Sequence, residues 1–457
     1  MNYDDAVYFG YNNSIQKVDY EGCPKMTQAT PQKTLHPEFL AQAKFLVQGA
    51  ELLPASIEQL AMRLQTAIET GVPLRIKLGL DPTRPDLHLG HAVVLKKLRM
   101  FQDLGHQAVM IIGDATAMVG DPSGRNKTRP PLTEEEVQIN AKTYLEQAGK
   151  VIKLDTVEIV RNSTFFNLMG LNDLLQLMAQ VTVAQILTRE DFNKRYTENT
   201  PIALHEFLYP LMQAYDSVMV KADLELGGTD QRFNNLLGRE MQVAYAKLKG
   251  EDVSKLNPQM VLLLPLLEGT DGKVKMSKSY PEHCINFTDT AEDMFGKLMS
   301  IPDELILRYE TLLSILPPDQ LQQHAMLLED PAKHGINPRD IKAGMAKYIV
   351  AQYHDAQAAE ASEEAFVNRF RNKELPADMP EATLEAGVSY NIIDLIAQHE
   401  LAASKSEAKR LVQGGGVKLN GTDKLSDIDA TLQLNAGESI ILQVGKRKFI
   451  RFIVSAI

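Results

Sequence analysis

The order strand, helix, strand in the first quarter of this chain constrains its fold more than any other feature. Residues 74–80 (LRIKLGL) are strand-like and the turn-rich DPTRPDLHLG follows. Val94, Leu98 and Phe101 then recur at helical spacing before Gly105, and residues 108–112 form a second strand-like run. A helix between two strands is the βαβ unit of a parallel sheet, whose ligands bind outside the carboxyl ends of the strands. The loops at Asp81 and Asp114 therefore face a site. Residues from about 130 to 220 are mostly helical in pattern and precede a later strand expected at 222–226. They read as an insertion within a divided nucleotide-binding domain.

At roughly 150 residues per domain, 457 residues are enough for about three. With 44% hydrophobic and 23% charged residues the chain is too apolar for intrinsic disorder. Apolar stretches of the kind seen at 261–267 fall far short of the ~20 residues of a membrane span. The start, MNYDDAVYFG, has neither a basic segment nor the apolar run of a secretory signal, so a cytoplasmic protein is expected. Two cysteines, Cys23 and Cys284, exclude a disulfide framework and a four-thiolate zinc site, and no protein metal site is expected. The net charge of −11 argues against a general nucleic-acid coat, yet residues 390–457 carry nine Lys and Arg against seven Asp and Glu. This tail is electrostatically a different object.

These shifts divide the chain into an extension (1–35), a parallel-sheet domain (36–265) with its insertion (about 130–220), a helical region (266–372), a linker (373–389) and a small domain (390–457). Ser56 and Gln59 form a capping box, Ile57, Leu60, Leu64 and Ile68 mark one helix face, and Gly71 stops that helix. LPADMPEATLEAG is Pro-rich and acidic, as a linker is.

Two motifs suggest phosphate chemistry. His88-Leu89-Gly90-His91 lies where the first loop enters a helix, and there backbone N–H groups and the helix dipole favour an anion. Two imidazoles can donate to phosphate oxygens, and Gly90 allows close approach of a nucleotide. Lys275-Met276-Ser277-Lys278-Ser279 sets two ammonium groups on a loop, where they can stabilise charge on a leaving pyrophosphate. Each motif alone is weak, since paired histidines and basic loops are common. Tyr209, Gln213 and Asp216 fall at i, i+4 and i+7, one polar stripe of a helix, and Pro210 implies a kink or a late helix start. Gly227-Gly228-Thr229-Asp230-Gln231 occupies another carboxyl-end loop.

In this order, HLGH and KMSKS resemble the paired signatures of class I aminoacyl-tRNA synthetases. KLGLDPTRPDLHLGH, VGDPSGR, YPLMQAYDS and GGTDQ narrow the resemblance to the tyrosyl-tRNA synthetases, particularly the bacterial subtype with a KLG-DP motif, and it runs from about residue 40 to the end. It implies a Rossmann-like α/β catalytic domain with a dimer-forming helical insertion, a helical anticodon-binding domain and a small α+β RNA-binding domain. The expected reaction joins tyrosine and ATP into tyrosyl-adenylate, then passes the acyl group to the 3′ end of tRNA(Tyr), releasing AMP and pyrophosphate. ATP enters with Mg²⁺ as co-substrate, and no tightly bound cofactor is implied.

By the same resemblance His88, His91, Lys275 and Lys278 carry the catalysis, and Asp81, Thr83, Gly90, Asp230 and Ser277 join them around ATP. Tyr209, Gln213 and Asp121 hold the ammonium group of tyrosine, Gln231 its carboxylate region, and Asp216 accepts from its phenol. Better-known tyrosine enzymes have a Tyr four residues before the loop Asp. Here that residue is Lys77, which could pair with Asp216, pair with another acidic neighbour or point elsewhere. Ser404 and Glu407 open a helix bearing Lys405, Lys409 and Arg410, and Lys446, Arg447 and Lys448 cluster near the end. This tail resembles the small RNA-binding domain named after a ribosomal small-subunit protein, and its bases are the expected tRNA contacts. A homodimer is implied by the family.

Overall fold

The computed structural model describes residues 34–454, apart from 84, 122–132, 278–279, 314–315, 372–378, 422 and 446–447 and the side chains of 134 and 369–371. A six-stranded sheet organises the first half. Its strands are β1 (Glu51–Leu53), β2 (Arg75–Leu80), β3 (Gln107–Ile112), β4 (Val157–Arg161), β5 (Leu224–Gly228) and β6 (Met260–Leu264), in the order β1-β6-β5-β2-β3-β4. All pairs are parallel except β1 with β6. The chain winds outward from β2 through β3 and β4, then returns to lay β5 on the other side of β2. The seam between β2 and β5 is therefore the topological switch point, where ligands of such sheets bind.

The expected βαβ unit is present, its helix spanning Leu89–Asp103. Two strands escape the sequence pattern. β1 is a three-residue antiparallel edge, and β4 lies within the segment expected to be helical, because its Val-Glu-Ile-Val-Arg is half-buried at a sheet edge and too short to stand out among helices. The insertion is thus not wholly outside the sheet. The Ser56 capping box and the left-handed Gly71 stop are found as expected, but Ile68 is exposed and Ala61 and Ala67 take the buried positions.

Sheet parity separates two environments. Ile76, Leu78 and Leu80 with Met110, Leu226 and Leu262 enter the main core on one face. That core continues without a break into Met294, Phe295, Tyr309, Met345 and Tyr353, so the helices after residue 266 share it rather than building their own. Leu177, Ile186 and Phe192 of the insertion pack with Leu211, Leu237 and Met241 in a smaller cluster.

The C-terminal unit has its own core of Ile392, Ile396, Ala408, Val412, Leu442 and Phe452. Its sheet runs β10-β9-β12-β13-β7, with β7 Glu381–Thr383, β9 Val417–Leu419, β10 Asp423–Leu425, β12 Ser439–Val444 and β13 Lys448–Ile453. β8 (Ser389–Asn391) pairs with β11 (Thr431–Gln433). β7 lies inside the expected 373–389 linker, and its backbone is consumed by pairing with β13, so the unit begins near residue 381 rather than 390.

Candidate active site

His88 caps the helix Leu89–Asp103. The Gly90 N–H donates to His88 Nδ1 (3.1 Å) and the His88 N–H donates to His91 Nδ1 (3.2 Å), with the ring centroids 4.0 Å apart. A neutral imidazole that accepts at Nδ1 carries its proton on Nε2. Both rings therefore offer a donor at a helix N-terminus, where negative charge is favoured. A side chain on Gly90 would collide with the His88 ring.

The two signatures meet although some 185 residues separate them. The Leu89 N–H donates to the Ile285 carbonyl (3.0 Å), and His88 forms an isolated bridge with Asn286 just after the KMSKS loop. Met276 is buried, its N–H donates to the Leu267 carbonyl (2.8 Å), and its Cβ lies 3.9 Å from the place a Gly90 Cβ would take. Lys275 Nζ reaches Asp230 Oδ2 at 2.7 Å, linking the loop to GGTDQ. Ser277 follows, whereas Lys278 lies outside the described residues.

At the carboxyl end of β2, Asp81 accepts from Thr116 Oγ1 through Oδ1 and from the Tyr209 hydroxyl through Oδ2, both at 2.8 Å. The Thr83 N–H donates to the Asp81 carbonyl (2.8 Å). Burial, reinforced by Asp81, holds the Tyr209 phenol well above its ordinary range. Tyr209, Gln213 and Asp216 do share the helix Leu208–Met219, which starts late enough to place Pro210 in its first turn. Gln231 Nε2 donates to Asp121 Oδ2 (2.9 Å), so these two expected ligands are already in contact.

Asp216 is 3% exposed. Asn162 Nδ2 approaches its Oδ2 at 3.5 Å, and its Oδ1 is buried without a hydrogen-bond partner among the described residues. Burial pushes this carboxyl up to about 8, with Lys77 opposing and Glu225 adding to the shift. Lys77 does not pair with Asp216. It faces Glu225 across the β2–β5 seam at 2.9 Å and also donates to Ser217 Oγ (2.7 Å) and the Gln213 carbonyl (2.8 Å).

Comparison with known proteins places the chain in a family. Residues 69–371 match the family described as tRNA synthetases class I (W and Y), and residues 372–452 match the tyrosine–tRNA ligase SYY-like C-terminal domain. The tyrosine–tRNA ligase of Bordetella pertussis is 48% identical over 92% of this chain and 98% of its own length. That of Thermotoga maritima is 50% identical over 83% and 90%. The chain belongs to the tyrosine–tRNA ligases.

It is accordingly a class I aminoacyl-tRNA synthetase whose substrates are tyrosine, ATP and tRNA. Solved tyrosyl-tRNA synthetases share its fold. The C-terminally truncated mitochondrial enzyme of Aspergillus nidulans has a TM-score of 0.59 at 21% identity, covering 73% of this chain and 94% of that one. The Archaeoglobus fulgidus enzyme, crystallised with L-tyrosine, has a TM-score of 0.53 at 23% identity, covering 70% and 99%. No helix among the described residues is long and apolar enough to cross a membrane.

Four residues packed around this candidate site escape a reading of the sequence. Thr116 lies in the short helix Asp114–Val119 that follows β3 and Asn162 in the turn after β4, and recognising β4 would have brought Asn162 into view. Arg189 and Asn234 carry no motif, yet both are buried against Asp121 and Gln231. In the tail, Lys409 and Arg410 are exposed on the helix Lys405–Gln413, Lys405 pairs with Asp394 (2.7 Å) and Lys448 donates to the Glu400 carbonyl (3.0 Å). Ser404 caps that helix, but Glu407 returns to the Ala403 N–H instead of closing a capping box. Lys446 and Arg447 fall outside the described residues.

Proposed function

We propose that the chemistry is divided between the two sides of the β2–β5 seam. On the ATP side, Asp81, Thr83, Gly90 and Asp230 receive the nucleoside and sugar, while His88, His91, Lys275, Ser277 and Lys278 face the phosphates. The tyrosine carboxylate attacks the α-phosphorus, a carboxylate oxygen–phosphorus bond forms, and the bond to the β-phosphate bridging oxygen breaks to release pyrophosphate. No protein nucleophile is required. The histidines and lysines act by positioning and by stabilising negative charge on the phosphate oxygens. Mg²⁺ enters with ATP as part of the substrate.

On the other side, Tyr209, Gln213 and Asp121 hold the ammonium group, Gln231 steers the carboxylate, and Asp216 accepts the hydrogen bond of the phenol. The observation that carries this reading is the buried Asp216 oxygen without a partner, because such a group is costly unless a ligand satisfies it. Lys405, Lys409, Arg410, Lys446, Arg447 and Lys448 contact the tRNA backbone. The insertion exposes Leu168, Leu171, Leu175 and Val183, an apolar face that suits a homodimer interface. The enzyme works in the cytoplasm.

ATP–pyrophosphate exchange across a panel of amino acids tests the assignment. Exchange driven by tyrosine, and scarcely by phenylalanine or tryptophan, is expected. In Asp216→Ala that preference should collapse, and in Lys275→Ala the rate should fall with little change in tyrosine affinity. Exchange driven by tryptophan would refute the phenol-acceptor role. Sedimentation of Leu171→Glu/Leu175→Glu as a monomer is expected, and an unchanged oligomer would move the interface elsewhere.

A further inference from the structure

Arg189 stands at the N-cap of the insertion helix Glu190–Thr197, is 5% exposed, and has no counterpart in either signature motif. Its Nε donates to Asp191 Oδ1 (2.8 Å), one terminal nitrogen to Asn234 Oδ1 (3.1 Å), and the other reaches Asp121 Oδ1 (3.4 Å). Its guanidinium carbon lies 5.1 Å from the centre of the Phe192 ring. The guanidinium thus joins the insertion to both Asp121 and Asn234.

Guanidinium groups only donate and carboxylates only accept, so a chain of amides between them has one allowed polarity. Arg189 fixes the Asn234 oxygen as its acceptor, which turns Asn234 Nδ2 toward Gln213 Oε1 (2.9 Å) and Gln231 Oε1 (3.0 Å). Gln231 Nε2 must then face an acceptor and meets Asp121 Oδ2 (2.9 Å), while Gln213 Nε2 points at Glu225 Oε1 (3.4 Å). The links Arg189–Asn234–Gln231–Asp121 agree in polarity, whereas Gln213 Nε2 also meets the Asn235 amide (2.9 Å). Gln231 and Asp121 are therefore oriented from one cation, and Asp121 is held at both of its oxygens.

The charge balance points the same way. Among the described residues one guanidinium faces two carboxylates, Asp121 and Asp191, and these three side chains together carry a charge of −1. Such a cluster orients Asp121 without cancelling its attraction for an incoming ammonium group. We propose that Arg189, acting through Asn234 and Asp121, is a positioning residue that selects for the ammonium group of tyrosine. This inference rests on the assignment of Asp121, Gln213 and Gln231 to the tyrosine site.

Two inhibitors of tyrosine-dependent exchange separate positioning from mere packing. Tyramine keeps the ammonium and phenol, and 3-(4-hydroxyphenyl)propionate keeps the phenol and carboxylate. In Arg189→Met the inhibition constant of tyramine should rise about tenfold or more, the loss of one charge-assisted hydrogen bond. That of the propionate should change less than about twofold, and KM for ATP should hold. Arg189→Lys, which keeps the charge but not the fork, should fall between. Should Arg189→Met fail to fold, Asp191→Asn leaves the fork in place but neutralises the cluster, so tyramine should weaken while the propionate holds or tightens. Equal changes for both inhibitors, or none, in a folded variant would overturn the role of Arg189. A parent enzyme without tyrosine-driven exchange would instead overturn the assignment beneath it.

Discussion

The buried pair Lys77–Glu225 offers the sharpest test of how the site is supported. Both side chains are essentially inaccessible (0% and 1%), are 2.9 Å apart, and are register partners on adjacent parallel strands at the centre of the sheet. Ser217 Oγ lies 3.1 Å and Gln259 Nε2 2.5 Å from Glu225 Oε2, so both charges are well solvated by the protein. Replacing Lys77 by Met keeps the length of the side chain and removes its charge, leaving a buried carboxylate without its cation. Breaking such a pair costs about 3–5 kcal/mol. At about 2–4 °C per kcal/mol for a domain of 150–250 residues, the thermal midpoint should fall by roughly 6–20 °C. The assay is calorimetry of substrate-free protein at neutral pH, with Glu225→Gln and the double variant alongside. The double variant should recover at least half of the loss, because no orphan charge remains. A Lys77→Met midpoint within about 2 °C of the parent, or a double variant as unstable as the two single losses combined, would refute the reasoning.

Three further outcomes follow from the same geometry. Asp216, with its carboxyl raised to about 8 from an ordinary 3.8, keeps a proton in the fold that the unfolded chain has released, so substrate-free stability should fall as pH rises between those values. Asp216→Asn should therefore raise the thermal midpoint more at pH 8 than at pH 5, and a gain independent of pH would contradict this. Gly79 lies two residues beyond Lys77 on the same sheet face, is exposed, and a Cβ there would meet nothing within 4 Å. Gly79→Val should fold normally and raise KM for tyrosine far more than KM for ATP, as steady-state exchange kinetics would reveal. Lys409→Ala/Arg410→Ala should leave exchange intact and flatten the logarithmic salt dependence of tRNA binding by about 0.7–0.9 for each phosphate no longer neutralised.

The sequence carried the βαβ unit because Val94, Leu98 and Phe101 repeat at helical spacing between two apolar runs; that His88 caps the helix emerged only in the structure. It carried Asp81, Tyr209 and Asp216 as candidates because they lie in contiguous motifs, but not the hydrogen bond that joins Tyr209 to Asp81. β4 was illegible: a half-buried edge strand of five residues has neither the alternation nor the unbroken apolar run that marks a strand. Arg189 was illegible for a different reason. A buried arginine looks like a surface arginine in one dimension, and only the packing of the insertion helix brings it against Asp121 and Asn234. Lys77 stood out as a departure, but its partner could not be read, since Glu225 lies 148 residues away and becomes a neighbour only through the strand order.

That strand order also explains why a charged pair and glycines occur in the same two strands. Register pairs Lys77 with Glu225, and the two-residue period of a strand puts Gly79 and Gly227 on the same face, one step toward the carboxyl ends. The opposite face, with Ile76, Leu78, Leu224 and Leu226, is committed to the main core. Deep in the seam the face is filled by the ion pair, which the helix Leu208–Met219 covers through Gln213 and Ser217. At the mouth Gly79 leaves the backbone bare while Gly227 is packed beneath Asn235 and Gln231, and Asp216, one residue before Ser217, has an oxygen without a partner among the described residues. A large apolar residue at position 77 would fill the depth equally well but would leave Glu225 buried without its cation and remove the charge that opposes the upward shift of Asp216. The lysine thus does for the electrostatics of the pocket what leucine does on the other face for its packing.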